Sequence, residues 1–191
     1  MIADYKPFVM TDGEGIRCAL YVSGCPFRCE GCWNESIWSF RAGHPYTCEL
    51  EDRILADLAQ PYCQGLSLLG GEPMLATPVL LPLLRRVRAE FGDRKDVWCW
   101  TGFTWEELHA AAETVDKREL LDQVDVLVDG RFIEAQKDLM LQFRGSRNQR
   151  VIDVPRSHEH GRVVTWKELH DLERTVPEMY TKQRVAVEGR A

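Results

Sequence analysis

Residues 23–34 read SGCPFRCEGCWN and set Cys25, Cys29 and Cys32 in a C-x3-C-x2-C array just after the apolar run CALYVSG. The spacing puts three thiolates on one short loop and supplies no fourth cysteine at matching spacing. A cubane 4Fe–4S cluster has four irons, and each wants one outside ligand. Three cysteines therefore leave one iron open to a substrate, which is a catalytic feature. A closed structural site would show a fourth nearby ligand, as four-coordinate zinc sites do. The competing reading is zinc held by the cysteines and His44 of the next loop, although zinc sites more often repeat C-x2-C pairs further along the chain.

The bulk numbers exclude several classes. A chain of 191 residues suggests one domain, long enough to bury a core without staples. With 45% hydrophobic and 28% charged residues it reads as globular rather than disordered. The net charge is −6, and only RGSRNQR (144–150) carries local positive charge, so no nucleic-acid partner is expected. No apolar run approaches the roughly 18 residues of a membrane span, and MIADYKPFVMTDGEG has no basic start or apolar core, so neither a span nor a secretory leader is expected. The other four of the seven cysteines, Cys18, Cys48, Cys63 and Cys99, read as reduced packing residues, which points to a reducing, cytoplasmic location.

Strand and helix patterns alternate. CALYVSG (18–24) is a strand ending at the cysteine loop, and ELEDRILADLAQ (49–60) is a helix with Leu50, Ile54 and Leu58 on one face. GLSLLGG (65–71) is the next strand; Thr77 and Pro78 read as N-cap and first residue of a helix carrying Leu80, Leu84, Val87 and Phe91. DVWCWTG (96–102) is a third strand, and Thr104 with Glu107 forms a capping box for WEELHAAAE. VDVLVDG (124–130) is a fourth strand, apolar as if covered on both faces, and RVIDV (150–154) a fifth. Alternation of this kind predicts an α/β fold with a parallel sheet, and the length suits a partial, open (β/α) barrel better than a closed one. The expected division is a core of residues 1–154 and a C-terminal extension of 155–191, with one helix opening at a second capping box, Thr165 to Glu168.

Side chains suited to ligands recur at strand ends, where α/β folds bind them. Gly70-Gly71-Glu72-Pro73 follows the second strand: glycines admit a ligand close to the backbone, and Glu72 can accept from an ammonium. Thr101 and Gly102 end the third strand. Asp129, Gly130 and Arg131 end the fourth, where Arg131 could neutralise a carboxylate or could close a salt bridge with Asp129. Alone, GGEP is an ordinary strand-to-helix turn, and Thr11-Asp12-Gly13-Glu14-Gly15-Ile16-Arg17 a polar turn with Arg17 as readily structural.

Together the C-x3-C-x2-C loop and GGEP resemble the radical S-adenosylmethionine enzymes. The resemblance implies one 4Fe–4S cluster on Cys25, Cys29 and Cys32, with S-adenosylmethionine bound at the open iron. It further implies cofactor contacts from Gly31, Trp33, Gly70, Gly71, Glu72, Thr101, Asp129 and Arg131, and reductive cleavage to methionine and a 5′-deoxyadenosyl radical. DGEGIR resembles a segment of the glycyl-radical-enzyme activases, which makes Asp12 a contact for the target backbone. CPFRCEGCWNESIW, WTGFTWEEL, VDVLVDGRF and KDLMLQFRGSRNQRVIDV are similar to the branch serving anaerobic ribonucleoside-triphosphate reductase. That branch implies a glycyl radical enzyme as partner and an electron donor such as flavodoxin or ferredoxin. Two departures stand out: Trp33 follows Cys32 where tyrosine is commoner, and the chain continues past Val154. The rival functions are a small-molecule radical enzyme of the deazaguanine-forming kind and a non-catalytic metal-binding module.

Overall fold

The computed structural model describes residues 1–110, 114–167 and 169. A six-stranded sheet runs in sequence order: β1 (Ile2–Val9), β2 (Ile16–Val22), β3 (Cys63–Gly70), β4 (Asp96–Trp100), β5 (Val126–Asp129) and β6 (Arg150–Asp153). The neighbours β2 to β5 are parallel, whereas β1 and β6 join their neighbours antiparallel. A wholly parallel sheet is therefore incorrect, for a reason visible in the connections. Parallel neighbours need a crossover of a dozen or more residues, usually helical. The short loop between β1 and β2 cannot supply one. Between β5 and β6 the regular helical structure is the single turn Glu134–Gln136. β1 escapes the sequence pattern because it is an edge strand whose residues are mostly exposed or half-buried.

Among the described residues five α-helices accompany the sheet: α1 (Cys48–Leu58), α2 (Thr77–Phe91), α3 (Trp105–His109), α4 (Val115–Leu121) and α5 (Val154–His160). The expected stripe of α1 buries Ile54 and Leu58 and adds Leu55. Thr47 caps that helix by accepting from the Leu50 N–H. The capping box of Thr104 and Glu107 is present. Thr77, by contrast, lies inside α2 rather than at its cap; its hydroxyl donates to Asp116, at the start of α4. The second capping box, at Glu168, and the helix expected after it lie outside the described residues.

The two faces of the sheet have different cores. Leu20, Leu66, Leu68, Val97, Cys99, Leu127 and Ile152 meet the helices through Ile54, Leu80, Leu84, Val87 and Leu108. On the other face Trp98, Val126, Val128 and Val151 are buried together, with Trp100, Phe143 and Trp166 packed against them. Burying a large side chain of this kind contributes roughly 1.5–3 kcal/mol. The period-2 alternation of β4 thus commits Val97 and Cys99 to the helices and Trp98 and Trp100 to the other face. Among the described residues, no helix is long and apolar enough to cross a membrane.

Candidate iron–sulfur site

The cysteine loop leaves β2 and folds back on its own start. The Gly24 N–H donates to the Ile37 carbonyl at 2.8 Å and the Cys25 N–H to that of Trp38 at 3.0 Å. Within the loop the Cys32 N–H donates to the Cys29 carbonyl at 3.2 Å, and the Asn34 N–H points to Cys32 Sγ at 3.4 Å. Gly31, at φ +72°, meets the Glu134 carboxylate so closely that an added Cβ would stand 2.2 Å from its Oε2. Half-burial raises the Cys25 and Cys29 thiols above the ordinary thiol range. A metal centre would offset that by binding the thiolates, the form that ligates.

The turn after β3 is seated on the beginning of the cysteine loop. The Gly71 N–H donates to Val22 O and the Glu72 N–H to Gly24 O, both at 2.8 Å. A Cβ on Gly71 would lie 2.3 Å from the Gly24 carbonyl oxygen, and one on Gly70, at φ +110°, would lie 2.4 Å from that of Val22. Asn34 Nδ2 reaches Gly70 O at 3.4 Å, closing the loop over the turn.

Glu72 is fully buried and multiply held. Its Oε1 accepts from Thr101 Oγ1 at 2.7 Å and from the Met74 N–H at 3.0 Å; its Oε2 accepts from the Gly102 N–H at 2.8 Å. Burial nevertheless dominates and pushes its carboxyl up to about 7. The residue ties the ends of β3 and β4 together, a bracing role the sequence did not announce.

A cavity of about 160 Å3 is lined by Cys25, Cys29, Cys32, Gly70, Gly71, Glu72, Thr101 and Arg131. Residues from four separate stretches of sequence therefore meet at the C-terminal ends of β2 to β5. Asp129 is not brought there: it lines a neighbouring cleft of about 390 Å3, which shares Gly102, Gly130 and Arg131 with the cysteine cavity. Its carboxylate accepts from Arg150 Nε at 3.0 Å and from the Trp105 N–H at 2.8 Å. Asp129 thus pairs with Arg150, and Arg131 pairs with Glu107 at 3.1 Å while lying 4.5 Å from the Phe27 ring centre.

Cys32, Asp12 and Trp33 border a larger cleft of about 850 Å3, walled by Trp100, Phe132, Leu139 and Phe143. Trp33 is 78% exposed, with Lys137 Nζ 5.7 Å from its ring centre. Asp12 accepts from the Tyr21 hydroxyl at 2.6 Å, and its backbone carbonyl from Ser67 Oγ at 2.5 Å. Arg17 has no place in the cavity; it is buried between Ser67, the Leu66 carbonyl and Asp96.

The donor set fits an iron–sulfur cluster. Three free thiols from one short loop border one cavity. A cubane asks for one thiolate on each of three irons rather than convergence on one. His44 is not at the cavity; its backbone bridges to Ile2 at the start of β1.

Comparison with known proteins agrees. The family described as a 4Fe-4S single cluster domain matches residues 11–152, which makes this a 4Fe–4S single-cluster domain protein. The anaerobic ribonucleoside-triphosphate reductase-activating protein of Vibrio cholerae is 47% identical over 149 residues, covering 76% of this chain and 92% of that protein. Its counterpart in Escherichia coli K12 is 43% identical over 149 residues, at 76% and 93% coverage. That of enterobacteria phage T4 is 36% identical over 149 residues, at 76% and 88%. The chain belongs to the family of anaerobic ribonucleoside-triphosphate reductase-activating proteins.

Proposed function

We propose that this protein activates an anaerobic ribonucleoside-triphosphate reductase by generating a glycyl radical on it. The observation that carries this is the meeting of Cys25, Cys29 and Cys32 with Gly70, Gly71 and Glu72 around one cavity, in a chain with activating-protein relatives. A reduced 4Fe–4S cluster held there would supply the one electron for reductive cleavage of S-adenosylmethionine to methionine, with the 5′-deoxyadenosyl fragment taking up the hydrogen atom lost from the target glycine Cα.

The chain's own residues bind, orient and shield. Cys25, Cys29 and Cys32 hold three irons. Gly70 and Gly71 let the turn seat against the backbone of Val22 and Gly24, which keeps the cysteine loop beside the place for the amino-acid end of the cofactor. Glu72 braces that turn from Thr101 and Gly102 and supplies an acceptor for the ammonium. Arg131, on the shared rim of two cavities, would neutralise the methionine carboxylate. Asp129 orders that rim through Arg150. Gly31 lets the loop turn against Glu134, and Trp33 offers a flat face to adenine. Asp12, on the larger cleft beside Cys32, meets the target backbone.

The four parallel strands β2 to β5 with helices on one face support reading the fold as a partial, open (β/α) barrel of the radical S-adenosylmethionine type, and we take residues 1–154 as its core and 155–191 as a C-terminal extension. An open sheet suits a substrate that is a protein loop. The electron comes from a small one-electron carrier such as flavodoxin or ferredoxin, and the seven free cysteines fit a reducing cytoplasm.

The test is product analysis. Anaerobically reconstituted protein with dithionite should convert S-adenosylmethionine to methionine and 5′-deoxyadenosine, and Cys25→Ala, Cys29→Ala or Cys32→Ala should abolish it. Cys48→Ala should behave as the parent. Cleavage that survives loss of Cys29 contradicts the assignment.

A further inference from the structure

Residues 154–166, past β6, stay against the sheet. After α5 the chain turns at Gly161, φ +62°, and comes back along the free edge of β6. The Asp153 N–H donates to Val164 O and the Trp166 N–H to Val151 O, both at 2.9 Å, with Ile152 and Thr165 as the bridge pair. Ser157 Oγ fixes the return by donating to Asp153 O at 2.6 Å and accepting from the Val164 N–H at 2.8 Å. Residues 163–166 therefore add a short seventh line to the sheet and cover an edge that would otherwise offer unpaired backbone groups.

That line carries Trp166 onto the sheet face opposite the helices. Its ring meets Trp98 edge-on, with centroids 5.7 Å apart at 69°. Trp98, fully buried, stacks on Trp100 at 5.7 Å and 26° and meets Phe143 edge-on at 5.0 Å. The Trp100 indole N–H donates to Phe143 O at 2.8 Å. Trp100 and Phe143 are walls of the 850 Å3 cleft that also holds Asp12, Cys32 and Trp33. Phe143 sits at φ +60°, a conformation a bulky residue holds only when its surroundings impose it. Trp98 is the common packing partner, and Trp166 packs against it without lining the cleft. The Nε1 atoms of Trp98 and Trp166 are buried without an acceptor, so neither indole is anchored by its N–H and both are placed by ring packing.

We infer that Trp166 is a positioning residue for the protein-substrate cleft: acting through Trp98, it holds Trp100 and the 138–145 segment where the target loop must dock. The residue lies beyond the stretch matched by the family, which ends at 152, so the support behind the cleft wall comes from the C-terminal extension. The structural part stands on the packing alone; the kinetic part rests on the activase reading above.

Trp166→Ala and Trp166→Phe in the full-length, cluster-loaded protein test it. Hydrogen exchange followed by mass spectrometry should show residues 138–145 exchanging about tenfold faster in Trp166→Ala, with β2 and β3 unchanged, because deleting the buttress frees a local unit without opening the core. Trp166→Phe, which keeps an edge-on ring, should restore protection. Iron content should stay within about twofold of the parent, because no cysteine of the loop packs on Trp166, while KM for the reductase rises about tenfold, as misplacement of a docking surface does. Should Trp166→Ala fail to fold, Trp166→Leu takes its place with the same readouts. Unchanged exchange in 138–145 overturns the inference, as does uniform acceleration along the chain that phenylalanine does not rescue. A KM shift missing while exchange does respond overturns the substrate role alone. If the parent forms no glycyl radical on the reductase, the activase reading fails and the exchange result still decides the buttress.

Discussion

Glu72 and Thr101 stand at the C-terminal ends of neighbouring parallel strands and share a hydrogen bond of 2.7 Å beneath the three cysteines. The bond joins the turn that seats the cysteine loop to the strand end that closes the cavity. A carboxyl fully enclosed there keeps its proton to about pH 7, against an ordinary value of 4.5, because burial outweighs the three donors it accepts from.

This gives a pH signature. The folded chain holds the Glu72 proton where the unfolded chain has lost it, so folding takes up a proton between pH 4.5 and about 7. Stability from this group is therefore fully present below 4.5 and is lost as pH rises through 7, by up to roughly 3 kcal/mol. Denaturant unfolding of the cluster-free parent and of Glu72→Gln across pH 5 to 8 checks the sign. The parent's advantage should shrink as pH rises; a constant difference contradicts the burial argument.

Gly71→Ala should be severe. Its Cβ would stand 2.3 Å from the Gly24 carbonyl oxygen, a backbone atom that cannot swing aside. Relief requires parting the turn from the cysteine loop, with an expected loss of about 2–4 kcal/mol and of most bound iron. Gly92→Ala is the control: nothing lies within 4 Å of its added Cβ, although its φ of +58° still carries a small backbone penalty. Unfolding midpoints and iron analysis on the two variants compare them directly.

Arg17 should matter for folding and not for chemistry. Buried against Ser67 and Asp96 at the opposite end of the strands from the cysteines, it answers five polar atoms of three neighbouring segments. Arg17→Ala should cost about 3 kcal/mol or more in urea unfolding, while the folded fraction still assembles a cluster. Loss of the cluster at unchanged stability would place Arg17 in the site instead.

Much of this was legible in sequence. The helix stripe of α1, the capping box at Thr104 and the buried strand β5 follow from periodicity and caps, and the cysteine loop and GGEP did meet. What sequence did not show depends on partners distant along the chain. Asp129 could be read as facing Arg131 because they are two residues apart, but the antiparallel return of β6 delivers Arg150 instead. Asn34 looks like a turn residue until its amide is found at Gly70. β1 carries no buried alternation because only one neighbour covers it. The run FRGSRNQR gave no sign that Gln149 and Asn148 clamp the Gly130 and Arg131 carbonyls at 2.9 and 2.8 Å.

Asp12→Asn separates the target contact from the metal. Asp12 borders the cleft rather than the cysteine cavity, so iron content and cofactor cleavage without reductase should match the parent. Radical yield on the reductase should fall several-fold, as for a positioning contact. Equal yield in both proteins removes Asp12 from the substrate path.

Electron paramagnetic resonance of the reductase is the most direct test. After anaerobic incubation with this protein, S-adenosylmethionine and a reductant, the spectrum should show a doublet from a glycyl radical coupled to its one remaining Cα hydrogen. Reductase with its C-terminal radical-site glycine changed to alanine should show no such doublet, and Cys29→Ala should produce none on the native partner. No doublet with the native pair, or an equal one on the alanine variant, contradicts the account.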